Sequence, residues 1–216
     1  MTTKNPTRAI RQSPVKRGGS APELVTVKDV LLRCGMELLT EQGFSATGLD
    51  AVLKRATVPK GSFYYYFESK EAFGMAVMDA YDAYFSRKLD RWLLDEARLP
   101  LDRLLDFMND AARGMAKHEF KRGCLVGNLS QELGALPVAY RARLCSIFEG
   151  WQAKVAACLR EAQTLGHIAK GTDCATLAEF FWIAWEGAVL RARLLRSPKP
   201  LETFIQTFLA GQALPR

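Results

Sequence analysis

The sequence is poor in the residue types that build metal and redox centres. Its two histidines, His118 and His167, stand at no ligand-like spacing from a cysteine or an acid cluster. Its five cysteines are odd in number and widely spaced, and none of them forms a CxxC pair. We therefore expect reduced thiols in a cytoplasmic protein, with no metal, no other cofactor and no catalytic set of residues.

Long apolar runs are also missing. The sequence has no stretch of about 20 apolar residues that would span a membrane, and no hydrophobic segment follows the first basic residues as in a secretory signal. The strict alternation that is typical of strands never lasts long enough to indicate a sheet. Helical spacing dominates a chain that is 49% hydrophobic, which predicts an all-α protein without a membrane partner.

The charge is unevenly distributed along the chain. The formal net charge is +7, and residues 1–22 hold five cations and no acid. With three prolines and few large apolar residues, this basic tail is predicted to be disordered in isolation. Two interpretations of the tail stay open: it adds electrostatic affinity for DNA, or it is solvated and binds nothing specific.

The pattern predicts a small three-helix head over residues 23–72. Apolar residues recur at helical spacing between Thr26, which is placed to cap the first helix, and Gly43, which ends it. Thr47 is placed to cap a short second helix. Pro59 opens a short third helix, because proline is tolerated in a first turn.

Residues 73–216 are predicted to form a second, larger helical module. Proline and glycine punctuate it at intervals that suit long helices with short connections. The predicted elements are a linking helix from Ser69 to about Ala97, helices over 100–118, 137–165, 173–196 and 201–209, and an irregular or short helical segment over 120–134.

Two short helices, joined by a tight turn and braced by a preceding helix, are typical of a helix-turn-helix. In the second of them, Lys60 can neutralise a phosphate and Ser62 can bond a phosphate or a base edge. Tyr64 and Tyr65 offer hydroxyls to phosphates and ring edges to thymine methyl groups. The alternative is that these tyrosines are ordinary core and surface aromatics of a helical hairpin.

Two further residues are predicted to contact phosphate from helix N-termini. Lys70 lies in the first turn of the long linking helix, where backbone N–H groups already favour an anion. Thr47 has the same position at the start of the second helix. Both would extend the DNA surface beyond the recognition helix itself.

The head carries a long motif, Gly43-Phe44-x-x-Thr47 followed by Ala56-x-Val58-x-Lys60-Gly61-Ser62-Phe63-Tyr64-Tyr65-Tyr66-Phe67-x-x-Lys70-Glu71. It resembles the TetR family of bacterial repressors in order and spacing. The resemblance implies an all-helical homodimer on a palindromic DNA operator, with a C-terminal module for effector binding and dimerisation. By position, the implied DNA contacts are Thr47, Lys60, Ser62, Tyr64, Tyr65 and Lys70. Thr57 departs from the pattern where a turn glycine is usual, and Pro59 departs from it where a serine or threonine cap is usual.

The second module offers aromatic and small residues for an apolar effector pocket. The candidate lining residues are Phe107, Met108, Met115, Phe148, Trp151, Trp182, Trp185 and Glu186. Each of them would equally suit an ordinary core. The helix over 173–196 is apolar all round, so we expect it to face the pocket on one side and a partner subunit on the other. Phe204, Ile205 and Phe208 on the last helix fit the same subunit interface, as the resemblance implies.

Cys124 is the most distinctive residue of this module. Two cations and a glycine precede it, and it is placed to open a short helix, which together predict a lowered thiol pKa. The run from Gly123 to Asn128 resembles the TetR subgroup of electrophile- and redox-responsive repressors and of the acrylate-responsive regulator of dimethylsulfoniopropionate breakdown genes. That resemblance implies a reactive, unsaturated or acyl effector near Cys124 and Asn128. The alternative is a buried, inert thiol.

Three functional hypotheses follow from these patterns. The first is a repressor that a small, non-covalent effector releases from its operator. The second keeps the repressor but makes Cys124 a covalent switch for electrophiles. The third is of another class, a small cysteine-dependent enzyme in which Cys124 and His118 form the reactive pair.

Overall fold

A computed structural model describes residues 25–212, and its regular structure is entirely α-helical, as predicted. The predicted basic tail over residues 1–22 lies outside the described residues. The helices within this range are α1 (Val27–Gln42), α2 (Leu49–Ala56), α3 (Lys60–Tyr66), α4 (Lys70–Leu93), α5 (Pro100–Lys117), α6 (Leu125–Ser130), α7 (Val138–Thr164), α8 (Cys174–Leu195) and α9 (Lys199–Ala210).

The first helix begins and ends where the sequence predicts. The Thr26 hydroxyl accepts the backbone N–H of Asp29 at 3.2 Å, and the Asp29 carboxylate accepts the backbone N–H of Thr26 at 2.9 Å. This reciprocal pair is a capping box, which satisfies two otherwise unpaired donors. Gly43 ends the helix with a φ of 82°, a conformation that costs glycine little.

The predicted cap of the second helix is wrong. Gly48, not Thr47, is the N-cap of α2, and it makes no side-chain capping bond. Thr47 is buried, and its hydroxyl donates to the Gly43 carbonyl oxygen at 2.6 Å. The chain folds back after Gly43, so the threonine closes that turn instead of capping the next helix.

The turn between α2 and α3 holds a strained residue. Thr57 ends α2 in the left-handed region with a φ of 55°, at the position where glycine is usual in the resembled family. A β-branched residue pays a steric cost there that glycine does not. Pro59 then serves as the extended N-cap of α3, within one residue of its predicted place.

The second module packs around an aromatic core. The long helix α4 extends from the head into this module and packs against α1, α5 and α7. Phe85 on α4 lies 4.4 Å from Trp151 on α7 between ring centroids, and Trp151 lies 5.2 Å from Trp182 on α8. These contacts bury large apolar areas and hold three helices in one cluster.

The last helix differs from its predicted role. It begins at Lys199, two residues before the predicted start. Pro200 lies in the first turn, where the helix needs no backbone N–H as a hydrogen-bond donor. Phe204, Ile205 and Phe208 are buried within the same chain. Phe204 and Phe208 pack on Phe181 of α8 at centroid distances of 5.4 and 5.2 Å. They are therefore core residues and not the partner-facing surface that was expected.

A different surface of α8 carries exposed apolar side chains. The exposed residues are Phe180, Ile183, Leu190 and Leu194. The opposite side of the same helix is buried against α7 and α9, so α8 is apolar on both sides, as the sequence indicates. None of the helices between residues 25 and 212 has the length and apolar character needed to cross a membrane.

Candidate DNA-binding surface and effector site

The short helix α3 presents polar and aromatic side chains outward. Lys60, Tyr64 and Tyr65 are exposed, with 54% and 82% of the two tyrosines accessible, and Ser62 is half-buried. Phe63 is fully buried and packs on Phe67 and on Phe73 of α4, each at a centroid distance of 5.3 Å. The buried phenylalanine anchors the helix, and the outer face is free to contact a groove.

Lys70 and Thr47 make contacts within the protein that the sequence does not predict. The Lys70 ammonium donates to the Phe44 carbonyl oxygen at 2.9 Å and lies 4.4 Å from the centre of the Phe44 ring. It thereby ties α4 to the turn after α1. The Thr47 hydroxyl is buried, so it does not offer the predicted phosphate contact in this conformation.

A cavity of about 300 Å³ lies between α1, α4, α5, α6 and α8 and is the candidate effector cavity. Of the predicted lining residues it includes Cys124, Trp185, Glu186 and Met115. Tyr81 and Phe85 of α4 also line it. No signal in the sequence singles them out, since their four-residue spacing is that of any helix core. His118 lies on its wall too.

The thiol of Cys124 is less acidic than predicted. Cys124 is the N-cap of α6, as expected, and its Sγ accepts the backbone N–H of Gly127 at 3.5 Å. Burial nevertheless raises the pKa of Cys124 well above its ordinary value, and the nearby Glu186 carboxylate raises it further. The prediction of a lowered pKa is therefore wrong.

The two cations that precede Cys124 are each paired with carboxylates. The Lys121 ammonium pairs with Glu119 at 2.6 Å. The Arg122 guanidinium pairs with Glu41 at 2.9 Å and with Glu37 at 3.5 Å. Their charges are neutralised at the surface, so desolvation dominates at the sulfur.

Glu186 is the second polar group of the cavity. Desolvation raises the pKa of Glu186 to about 7, and one carboxylate oxygen, Oε1, has no hydrogen-bond partner among the described residues. The other oxygen packs against Gly127, where any β carbon would overlap it. Burial, Cys124 and Glu186 together raise the pKa of the Tyr81 hydroxyl. Three side chains that can carry a proton, those of Tyr81, Cys124 and Glu186, thus lie together at the N-terminus of α6.

Asn128 lies outside the cavity and holds three helices together. Its amide donates to the Thr40 carbonyl oxygen at 2.9 Å, and its side-chain oxygen accepts from Arg193 at 2.7 Å. Arg193 also donates to the Glu41 carbonyl oxygen at 2.9 Å. The predicted ligand residue is therefore a joint between α1, α6 and α8, because its amide is consumed by the unpaired carbonyls at the end of α1.

Glu132, just beyond α6, makes a second joint to the head. Its carboxylate oxygens accept the backbone N–H groups of Phe44 at 3.0 Å and of Ser45 at 2.8 Å. It fits against Gly43, where a β carbon would overlap the carboxylate. Cys124, Asn128 and Glu132 follow each other at four-residue steps. Although α6 itself ends at Ser130, this helical spacing is the signal from which the joint can be inferred.

The remaining predicted pocket residues divide between the core and a second cavity. Phe107, Met108 and Trp151 are fully buried and do not line the effector cavity. They are core residues, the alternative that the sequence left open. Trp182 and Phe148 line a separate cavity of about 420 Å³ between α6, α7 and α8, whose wall also includes Glu186. Among residues 25–212, no group of three or more His, Cys, Asp or Glu side chains is placed to hold a metal.

The sequence matches known protein families and individual relatives. Residues 31–76 match the family described as bacterial regulatory proteins, tetR family, and residues 100–208 match the tetracyclin repressor-like C-terminal domain. The transcriptional regulator AcuR of Cereibacter sphaeroides is 50% identical over 93% of this chain and 92% of its own length. The HTH-type transcriptional repressor NemR of Escherichia coli is 34% identical over 81% of this chain and 88% of its own length.

A solved structure agrees with both the sequence match and the fold. The crystal structure of a regulatory protein TetR from Rhodobacter sphaeroides superposes with a TM-score of 0.84 at 52% identity, covering 85% of this chain and 97% of that one. The helix-turn-helix, the all-helical second module and the sequence motif therefore agree. The chain belongs to the tetR family of bacterial regulatory proteins.

Proposed function

We propose that this protein is a repressor that binds a palindromic operator as a homodimer and releases it when a small effector occupies the cavity at Cys124. One observation supports this most strongly. The segment that begins at Cys124 in the cavity also carries Asn128 and Glu132, which hold the end of α1 and the following turn of the head. An effector that displaces this segment changes the position of the head.

The outer face of α3 supports the DNA part of the proposal. Lys60, Tyr64 and Tyr65 are exposed on a helix narrow enough for the major groove, and Ser62 stays half accessible. Lys70 keeps unused N–H donors for a phosphate while it braces the turn after α1. Thr47 is buried and its backbone N–H already donates to the Phe44 carbonyl oxygen at 3.1 Å, so it supports that surface only by holding the turn after α1.

The exposed apolar side chains of α8 support pairing with a second copy. Phe180, Ile183, Leu190 and Leu194 form an uncovered strip of the kind that marks a protein interface. In a dimer on DNA, we expect the two α3 helices to lie about 34–36 Å apart, one turn of the double helix. The relatives named above are a transcriptional regulator and a transcriptional repressor.

The cavity favours a small effector with an apolar body and a polar end. Trp185, Phe85 and Met115 supply apolar walls, while Glu186 and Tyr81 supply hydrogen-bonding groups. An unsaturated acid or acyl compound such as acrylate has this character. To act, the effector must bind the DNA-free conformation more tightly than the DNA-bound one.

A gel-shift titration with DNA from upstream of the gene tests the proposal. We expect salt-sensitive binding to a palindrome, weaker binding to random DNA of equal length, and release by the effector. Lys60→Ala should lower operator affinity about tenfold and reduce the salt dependence by about one phosphate contact. Equal affinity for both DNAs at physiological salt contradicts the proposal.

A covalent switch at Cys124 is the second candidate. The observation that favours it is the carboxylate of Glu186 beside the thiol, with a pKa of about 7 that suits proton exchange at neutral pH. The thiol proton would pass to Glu186 while the sulfur bonds to the β carbon of an unsaturated carbonyl compound. Glu186 would then return the proton to the α carbon, which leaves a saturated thioether adduct.

Intact-protein mass measurement separates the covalent from the non-covalent response. For a covalent switch, the wild-type protein gains the full mass of the electrophile as DNA is released, and Cys124→Ser shows neither change. Release of DNA from Cys124→Ser at the same effector concentration establishes the non-covalent mechanism. A cysteine-dependent enzyme is not favoured, because a thiol with a raised pKa supplies little resident thiolate, although His118 lines the same cavity.

A further inference from the structure

Helices α4 and α5 pack along a seam that is lined by Tyr84, Lys88 and Gly114, and a cavity lies on each side of it. The inner one is the effector cavity. The outer groove has a volume of about 540 Å³. Its charged lining residues are Arg87, Lys88, Arg91, Asp110, Arg113 and Lys117. Tyr84, Lys88 and Gly114 line both cavities, so the two spaces adjoin at this seam.

The outer groove has a large surplus of positive charge. Asp110 is the only carboxylate that the described residues contribute to the groove, and it is already engaged by Lys88 at 2.8 Å and more distantly by Arg113 at 3.8 Å. Arg87, Arg91 and Lys117 are exposed and form no ion pair with any other residue in the 25–212 range. Like charges gathered on one surface repel each other, so the fold gains nothing from this grouping.

Gly114 keeps the seam open. It lies inside α5, where glycine is less favourable than alanine. Among residues 25–212, no atom outside its chain neighbours and the backbone of α5 lies within 4 Å of the position that its β carbon would occupy, so close packing does not require a glycine there. A side chain at this position would extend into open space that Gly114 lines together with Tyr84 and Lys88.

We propose that the outer groove binds the phosphate-bearing part of an effector whose small acyl end reaches the effector cavity through the seam. The position of the acyl end rests on the proposed function. The cations are spread along α4 from Arg87 to Arg91 and along α5 from Arg113 to Lys117, each span about 6 Å long. A single carboxylate cannot contact all of them, whereas a group with several phosphates can, and arginine forks match phosphate oxygens.

Two thioesters with the same acyl end test the proposal on DNA-free protein. S-butanoyl-coenzyme A carries phosphates, and S-butanoyl-N-acetylcysteamine does not. Binding is measured by calorimetry. We expect the coenzyme A thioester to bind at least about tenfold more tightly, since several charge-assisted contacts are added. Its advantage should shrink as sodium chloride rises from about 0.05 to 0.5 M, because salt screens exposed charges.

Substitution of the groove cations localises the effect. Arg87→Gln combined with Lys117→Gln should remove most of the advantage of the coenzyme A thioester and leave the cysteamine thioester unchanged. Both residues are exposed and form no ion pair within the part of the chain that the structure describes, so the fold should be retained. Arg160→Gln, an exposed arginine on α7, is the matched control and should change neither affinity. Equal affinities of the two thioesters for wild-type protein, or an unchanged preference in the double variant, overturn the proposal.

Gly114→Leu tests the passage through the seam. Leucine favours the helix, so this variant should fold, while its side chain closes the opening. We expect it to bind free coenzyme A and butanoyl-coenzyme A equally, whereas wild-type protein prefers the thioester. Wild-type protein without that preference contradicts the two-part ligand. Because these measurements contain no DNA, a failure of the proposed repressor function shows itself separately in the gel shift.

Discussion

The recognition helix α3 and the Cys124 segment around α6 differ in how their chemistry depends on the fold. The side chains of Lys60, Tyr64 and Tyr65 project from a short exposed helix, and their environment is solvent. Cys124 is buried beside a carboxylate, and burial reverses the pKa shift that its sequence neighbours predict. A motif on an exposed helix keeps the chemistry of its residues, whereas a buried one takes its chemistry from residues distant in sequence.

Neighbouring aromatics on α3 give the largest expected contrast. Phe63 is fully buried, whereas Tyr64 is 54% exposed. Phe63→Ala should lower the free energy of unfolding by about 3–5 kcal/mol, because it leaves a cavity under the helix. Tyr64→Ala, the matched control, should change stability by no more than about 0.5 kcal/mol and still weaken operator binding. Similar denaturation midpoints for the two variants would show that α3 is not anchored by Phe63.

Glu132→Ala should break the joint between the Cys124 segment and the head. It removes two charge-assisted hydrogen bonds to Phe44 and Ser45, so we expect a loss of about 1–3 kcal/mol in the free energy of unfolding. Effector affinity measured on DNA-free protein should stay unchanged, while effector-driven release of DNA weakens. Glu149→Ala on the exposed face of α7 is the control. Full release from the Glu132 variant means that the coupling takes another route.

Glu186 should make the stability of the protein depend on pH. Its pKa in the folded protein is about 7 and its ordinary value is 4.5, so the folded state keeps a proton that the unfolded state has lost. The stability of the wild-type protein should therefore fall as pH rises from about 4.5 to about 7. Glu186→Gln lacks this decline, and its advantage over wild type should reach roughly 1–3 kcal/mol near pH 8. Urea unfolding at fixed protein concentration measures the stability of wild type and of Glu186→Gln at each pH. Parallel pH profiles of the two proteins would exclude a raised pKa of Glu186.

Thr57→Gly should produce the smallest effect, at the turn that leads into α3. The left-handed conformation of Thr57 costs the folded state, while glycine adds entropy to the unfolded state. We expect a net stabilisation of about 1 kcal/mol or less in thermal unfolding. Thr57→Ala, which keeps a β carbon, is the control and should not stabilise. If the glycine variant is less stable than wild type, the turn is not strained.

The fold was predictable because its signals are local. Helical spacing, the capping pair of Thr26 and Asp29, and the stop at Gly43 each depend on residues within a few positions of one another. The places where prediction failed depend on long-range packing. Phe204 and Phe208 are as apolar as an interface would require, and only the position of α8 decides that they are covered within the chain.

The effector site was predictable only in part. Cys124, Trp185 and Glu186 line the cavity, but Phe107, Met108 and Trp151 belong to the core beside it. Apolar residues that line a cavity and apolar residues of the core are of the same types and recur at the same helical spacing, so no local pattern separates them. The resemblance implies an effector contact at Asn128, but its partners in the structure, Thr40 and Arg193, lie at sequence separations of 88 and 65 residues.

The coupling between operator and effector tests the central claim most directly. Operator affinity is measured with and without saturating effector, and effector affinity is measured with and without operator, all on the same dimeric protein. The account predicts that each ligand weakens the other by the same factor, on the order of 5- to 150-fold, because linkage is reciprocal. If the effector binds at the cavity and operator affinity does not change, the protein is not an effector-released repressor.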